Sequence, residues 1–213
     1  MRLRAWSGSR NRGKEMRGNS IRRLAWLLSI ILVALPLKAA DDYLLRQGNA
    51  GLVRVGMSID ELLLKIDRKH TRLVDTSNEG FFTPTLQIFM PGNSGSKPSM
   101  EVEILCRRGN PVISSGPPPP WYKGTPWVVG RITVYDPRFH TANGFHVGST
   151  LGEIKEKYPL YILTGEGAID TFVESLGMTF GLDANQVPRA WYRTHNDALI
   201  PDKTKIISIL VVR

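Results

Sequence analysis

The chain has one cysteine, Cys106, in 213 residues. No intramolecular disulfide can form, so the fold must hold by packing alone. The compact reaction motifs are missing too: there is no G-x-S-x-G nucleophile elbow, no P-loop and no H-E-x-x-H. Gly92-Asn93-Ser94-Gly95-Ser96 has the wrong spacing for the first, and Gly165-Glu166-Gly167 lacks the remainder of a dinucleotide-binding G-x-G-x-x-G. The apolar run at 24–35 is 12 residues long, short of the about 20 that a spanning helix needs. An excess of charge is missing as well, once the first 40 residues are set aside. They hold nine of the 28 Lys/Arg and one of the 19 Asp/Glu, which leaves 19 basic and 18 acidic residues and a net charge of +1. A near-neutral body has no basic face or stripe to draw nucleic acid, and nucleic acid is not an expected partner.

What is present begins with a leader. Arg22 and Arg23 precede the apolar run, Pro36 breaks it, and Ala39 and Ala40 supply small residues. A positive segment, a short apolar core and a small-residue cleavage site are the grammar of a secretory signal peptide. Residues 1–40 are therefore expected to be removed by a cut after Ala39 or Ala40, with Met16 as an alternative true start. The expected location is the periplasm or outside the cell, with no membrane span after cleavage.

The remaining 173 residues suit one ordinary domain or two small packed modules, and they contain a repeat. Residues 55–66, which open Val55-Gly56-Met57-Ser58-Ile59-Asp60-Glu61-Leu62, align without gaps to residues 147–158, which open Val147-Gly148-Ser149-Thr150-Leu151-Gly152-Glu153-Ile154, with identity at four of the twelve positions. Ser58 and Thr150 are N-cap residues, and Glu61 and Glu153 stand three places later, so a capping box is expected in both. Ile59, Leu62, Leu63 and Ile66 form an apolar helical stripe, and Leu151, Ile154 and Tyr158 a sparser one. Strand-like segments follow at 85–90, 100–106, 128–135, 177–183 and 205–212, the last apolar enough to expect burial on both faces. Cys106 closes one of them and reads as a buried structural thiol. The expected fold is α+β: two related units, at 51–139 and 142–213, each a short capped helix packed on an antiparallel sheet.

The pattern V-G-[MS]-[ST]-x-x-E-[LI], opening a short helix ahead of an antiparallel sheet, resembles the small envelope modules of the BamE (SmpA/OmlA-like) type. Tandem use of such a unit resembles the β-lactamase inhibitor protein architecture. The resemblance implies an envelope protein that binds or scaffolds other proteins without catalysing. BamE-like proteins are typically lipid-anchored, and this chain has no cysteine at the cleavage site to carry a lipid.

Two sets of candidate residues follow. Trp121, Tyr122, Trp127, Trp191 and Tyr192 sit in or beside expected loops, where exposed aromatics would anchor a protein or envelope-component partner. Trp121 and Tyr122 follow four consecutive prolines, 117–120, which favour an extended, stiff segment. Asp136, His140 and His146 lie in the connector between the units and form the alternative, a metal site serving a metal-assisted hydrolase. Glu101 and Glu103 share one strand face and read as solubilising acids. The preferred expectation is a non-enzymatic binding or scaffolding protein of the bacterial envelope without cofactors.

Overall fold

The computed structural model describes residues 42–78, 81–93, 96–106, 127–165 and 167–213. The leader, the proline run, Trp121 and Tyr122 lie outside the described residues, as does the side chain of Cys106. Residues 41–213 form one compact unit of mixed α and β structure, mostly sheet with small helices.

Three short strands open it: β1 (Leu44–Arg46), β2 (Asn49–Ala50) and β3 (Val53–Arg54). Helix α1 (Ile59–Lys65) follows, then β4 (Thr71–Asn78), β5 (Phe81–Ile88), β6 (Met100–Cys106) and β7 (Trp127–Val134). The connector contributes β8 (His140–Thr141). Next come helix α2 (Leu151–Lys155), β9 (Tyr161–Gly165), β10 (Ala168–Val173) and β11 (Met178–Leu182). Helix α3 (Trp191–Thr194) and β12 (Ile206–Val211) close the chain. The small sheet runs β3-β2-β1-β8, and the large one runs β4-β5-β6-β7-β12-β11-β10-β9.

Every neighbouring pair in the large sheet is antiparallel. Each half of the chain supplies a helix and then four strands, and the halves meet where β7 pairs with β12. That seam has a self-matching register: Ile132 faces Val211, Thr133 faces Leu210, and Val134 faces Ile209. On either side of it, Met100 of β6 faces Val134 and Met178 of β11 faces Val211. Both strands then break register three residues on, at Glu103/Ile104 and at Gly181/Leu182.

The helix entries match as closely. Gly56 N–H donates to Val129 O at 2.7 Å, and Val129 N–H to Met57 O at 2.9 Å. Gly148 N–H donates to Ile206 O at 2.8 Å, and Ile206 N–H to Ser149 O at 2.9 Å. The two glycines have φ of +84° and +104°, a region that only a residue without Cβ enters at no steric cost. The chain can therefore turn from the strand-like approach straight into the cap.

One expected capping box forms and the other forms by half. Thr150 Oγ1 accepts the Glu153 amide, and Glu153 Oε2 accepts the Thr150 amide at 2.6 Å. Ser58 Oγ accepts the Glu61 amide at 3.1 Å. The Glu61 carboxylate turns instead to Lys65 at 2.9 Å and Arg54 at 3.8 Å. Two nearby cations outcompete one backbone N–H for an exposed acid.

The core lies between the helices and one face of the large sheet. Ile59 and Leu62 of α1 and Leu151 and Ile154 of α2 pack there with Val102, Ile132, Phe180 and Ile209, all at most 3 % exposed. Burying such a side chain stabilises by about 1.5–3 kcal/mol. The expectation that the last strand is covered on both sides is corrected. β12 is central, but Ser208 and Leu210, which alternate with the buried Ile209 and Val211, are only half-buried, and Ile207 is 50 % exposed where the register shifts against Gly181/Leu182.

Candidate functional site

The connector residues are occupied structurally. Asp136 is 7 % exposed, and its carboxylate accepts Nε of Arg138 at 3.0 Å and Nη2 at 2.6 Å. Arg138 also donates to Pro91 O at 2.7 Å and lies 5.1 Å above the Tyr43 ring. Burial alone would raise the Asp136 pKa. Hydrogen bonds from the Arg138 side chain and backbone and from Ser99 outweigh that, so the carboxyl stays below its ordinary range. His140 and His146 form an antiparallel bridge, but each turns Nδ1 to a backbone carbonyl, Arg138 O at 2.9 Å and Val147 O at 2.8 Å. Among the described residues no three His, Cys, Asp or Glu gather as a metal site. In this geometry the carboxylate of the three, Asp136, is already paired with Arg138.

The aromatic set separates. Trp191 is corrected as a docking anchor: it is 1 % exposed, its indole N–H points at Asp197 Oδ1 at 3.3 Å, and Tyr192 and His195 meet its ring edge-on at 5.2 and 5.4 Å. Trp127 is half-buried at the start of β7 and packs on the core. Tyr192 is 46 % exposed and is left as the exposed member among the described residues.

Sequence reasoning missed the open face of the large sheet. One cross-strand row on it runs Gln87, Glu101 and Thr133 in the first half, then Leu210, Thr179, Phe172 and Tyr161 in the second. The first-half end is polar and internally satisfied. Glu101 accepts Gln87 Nε2 and the Tyr135 hydroxyl, each at 2.9 Å, and Glu103 pairs with Arg131. Burial and the Glu101 charge push the Tyr135 phenol well above its usual pKa, so it stays a donor. The second-half end carries exposed apolar side chains at its margin: Tyr161 is 57 % and Leu163 46 % exposed, Phe172 is half-buried beside them, and Leu210 is half-buried across Thr179. Neither 161–165 nor 168–173 is among the expected strands, although 168–173 alternates, with Ile169, Thr171 and Val173 turned to the core.

A cleft of about 360 Å³ lies at the rim, lined by Asn93, Lys97, Tyr135, Asp136 and Arg138. Its polar groups are engaged with one another: Asn93 donates to Lys97 O and to Ser99 Oγ, each at 3.0 Å. It braces residues 91–93 and 97–98 against the end of β7, and among the described residues no nucleophile, base and orienter converge there.

No family model matches the chain, and no curated protein matches it. Among solved structures, the chain is similar to the uncharacterized protein yfeY from Escherichia coli, at 13 % identity and a TM-score of 0.49, over 79 % of this chain and 97 % of that one.

Proposed function

We propose that the chain is an exported, non-enzymatic binding or scaffolding protein of the bacterial cell envelope. It is built from two copies of one helix-on-sheet unit and makes contact through the open face of the shared sheet. The observation that carries this reading is that, among the described residues, the helices cover one face of the eight strands, with Tyr161 and Leu163 exposed and Phe172 and Leu210 half-buried on the other. Contiguous exposed apolar side chains of this kind mark interaction surfaces, and the polar first-half end supplies a satisfied rim. The leader and the BamE-like pattern around Ser58 and Thr150 support the envelope location.

A photo-crosslinking residue placed at Leu163 tests the contact surface. It should give a discrete adduct in intact cells that is lost when Phe172 and Leu210 are both changed to glutamate. The same adducts from a control position at Arg189, or none from Leu163, would remove the open face as the contact surface. Export is tested separately by the first residue of the mature protein, expected at Ala40 or Asp41.

A further inference from the structure

The two halves present matching positions on the open face, and they fill them differently. In the first half Thr85, Glu103 and Arg131 share one cross-strand row, and the Glu103 carboxylate is answered by Arg131 on the next strand. The matching row of the second half holds Asp170, Gly181 and Ser208. The acid stands one strand further out, and the place of the answering cation holds a serine. No hydrogen bond or ion pair joins Asp170 among the described residues. Burial is the one influence resolved on its carboxyl, and it raises the pKa.

Gly181, between these side chains, has no side chain of its own and is buried beneath its neighbours. A Cβ added at Gly181 would come within 2.2 Å of Ser208 Oγ and 3.3 Å of Asp170 Oδ1. A carboxylate and a hydroxyl oxygen thus flank the same stretch of backbone, and both can accept. The walls are apolar: Leu163 lies opposite Asp170, and Phe172 follows two residues on along the same face. A long aliphatic stem can lie on such walls while its charged head reaches the oxygens. One carboxylate and one hydroxyl are too few for a divalent cation, which takes six or more oxygens as calcium or an octahedral set as magnesium.

The geometry points to Asp170 and Ser208 as the receptor for a lysine or arginine side chain presented by a protein partner. This rests on the open face being the contact surface, and it adds the chemistry of what is recognised there. An acid half-buried without a partner is unfavourable until a cation arrives, so the free protein holds a vacancy of defined charge.

The purified protein can be titrated by NMR with N-acetyl-Leu-Arg-Leu-amide and with the same peptide carrying uncharged citrulline in place of arginine. The arginine peptide should shift the amides of Asp170, Gly181 and Ser208 and bind about tenfold more tightly than the citrulline peptide. It should also lower the pH at which the Asp170 carboxyl titrates. Asp170→Asn, which keeps shape and removes charge, should bring both peptides to the weaker affinity. Equal shifts from both peptides would overturn the cation assignment while leaving the open face as a contact surface. Shifts from neither, or arginine-peptide binding that survives Asp170→Asn, would overturn the assignment too, and the crosslinking result then decides the surface on its own.

Discussion

Replacing Trp191 by alanine separates a core role from a docking role, and its neighbour provides the control. The indole is 1 % exposed, its N–H meets Asp197, and two rings pack against its edges. Truncating a buried tryptophan to alanine costs about 3–5 kcal/mol, because transfer energy is lost and the cavity relaxes only in part. For a body of this size each kcal/mol moves Tm by about 2–4 °C, which gives a fall of roughly 6–20 °C. Tyr192 is 46 % exposed and contributes mainly its edge contact, so Tyr192→Ala should cost no more than about 1 kcal/mol. Calorimetry or urea denaturation of both variants reads the difference. If Trp191→Ala proves no more destabilising than Tyr192→Ala, the indole is not a core element and the packing described for α3 is wrong.

Asp136→Asn should destabilise by about 1–3 kcal/mol at neutral pH, since it leaves Arg138 without its carboxylate. A carboxyl held below its ordinary pKa contributes stability above the unfolded value of about 4 and loses it as pH falls through the lower folded value. The gap between wild type and variant in urea midpoint should therefore narrow below pH about 4, and a gap that widens there would refute the pairing. Asp170 has the opposite sign. Its pKa is raised, so its charge opposes folding increasingly as pH climbs from the ordinary carboxylate value through the raised one. Asp170→Asn should thus be the more stable protein at pH 7 and equal to wild type in acid; a loss of stability at pH 7 would contradict an unpartnered acid. Gly56→Ala and Gly148→Ala should each cost about 1–2 kcal/mol in chemical denaturation, from forcing a Cβ into positive φ, and a neutral result at either would contradict its turn.

The helix starts and the strands nearest the middle of the sheet were legible in the sequence. Ser58 and Thr150 each cap a helix because a hydroxyl three places before an acid has few better local options. The strands 100–106 and 178–182 alternate because one face is buried and the other is not. The outer strands were not legible. β4 reads Thr-Arg-Leu-Val-Asp-Thr-Ser-Asn and β9 reads Tyr-Ile-Leu-Thr-Gly, and an edge strand needs little apolar alternation to be held by one neighbour. Trp191 looked exposed because α3 is four residues long, too short for periodicity to reveal which side faces inward. Asp136 reads as an available ligand in the sequence because nothing local shows that Arg138, two residues on, takes its carboxylate. Asp170 went unnoticed because it becomes unusual only when register sets it beside Gly181 and opposite Leu163.

The seam between β7 and β12 governs the order in which the protein can be completed. During synthesis the first four strands of the large sheet emerge with β7 as a naked margin, its ladder amides and carbonyls unmated. They wait while some seventy residues follow, until β12, last of all strands to appear, zips the two halves together. An unfinished margin of this sort is a ready template for mispairing with another nascent copy. Until the final strand arrives the molecule is therefore exposed to its own kind, and under the proposed export a holding chaperone would have its greatest effect in that interval.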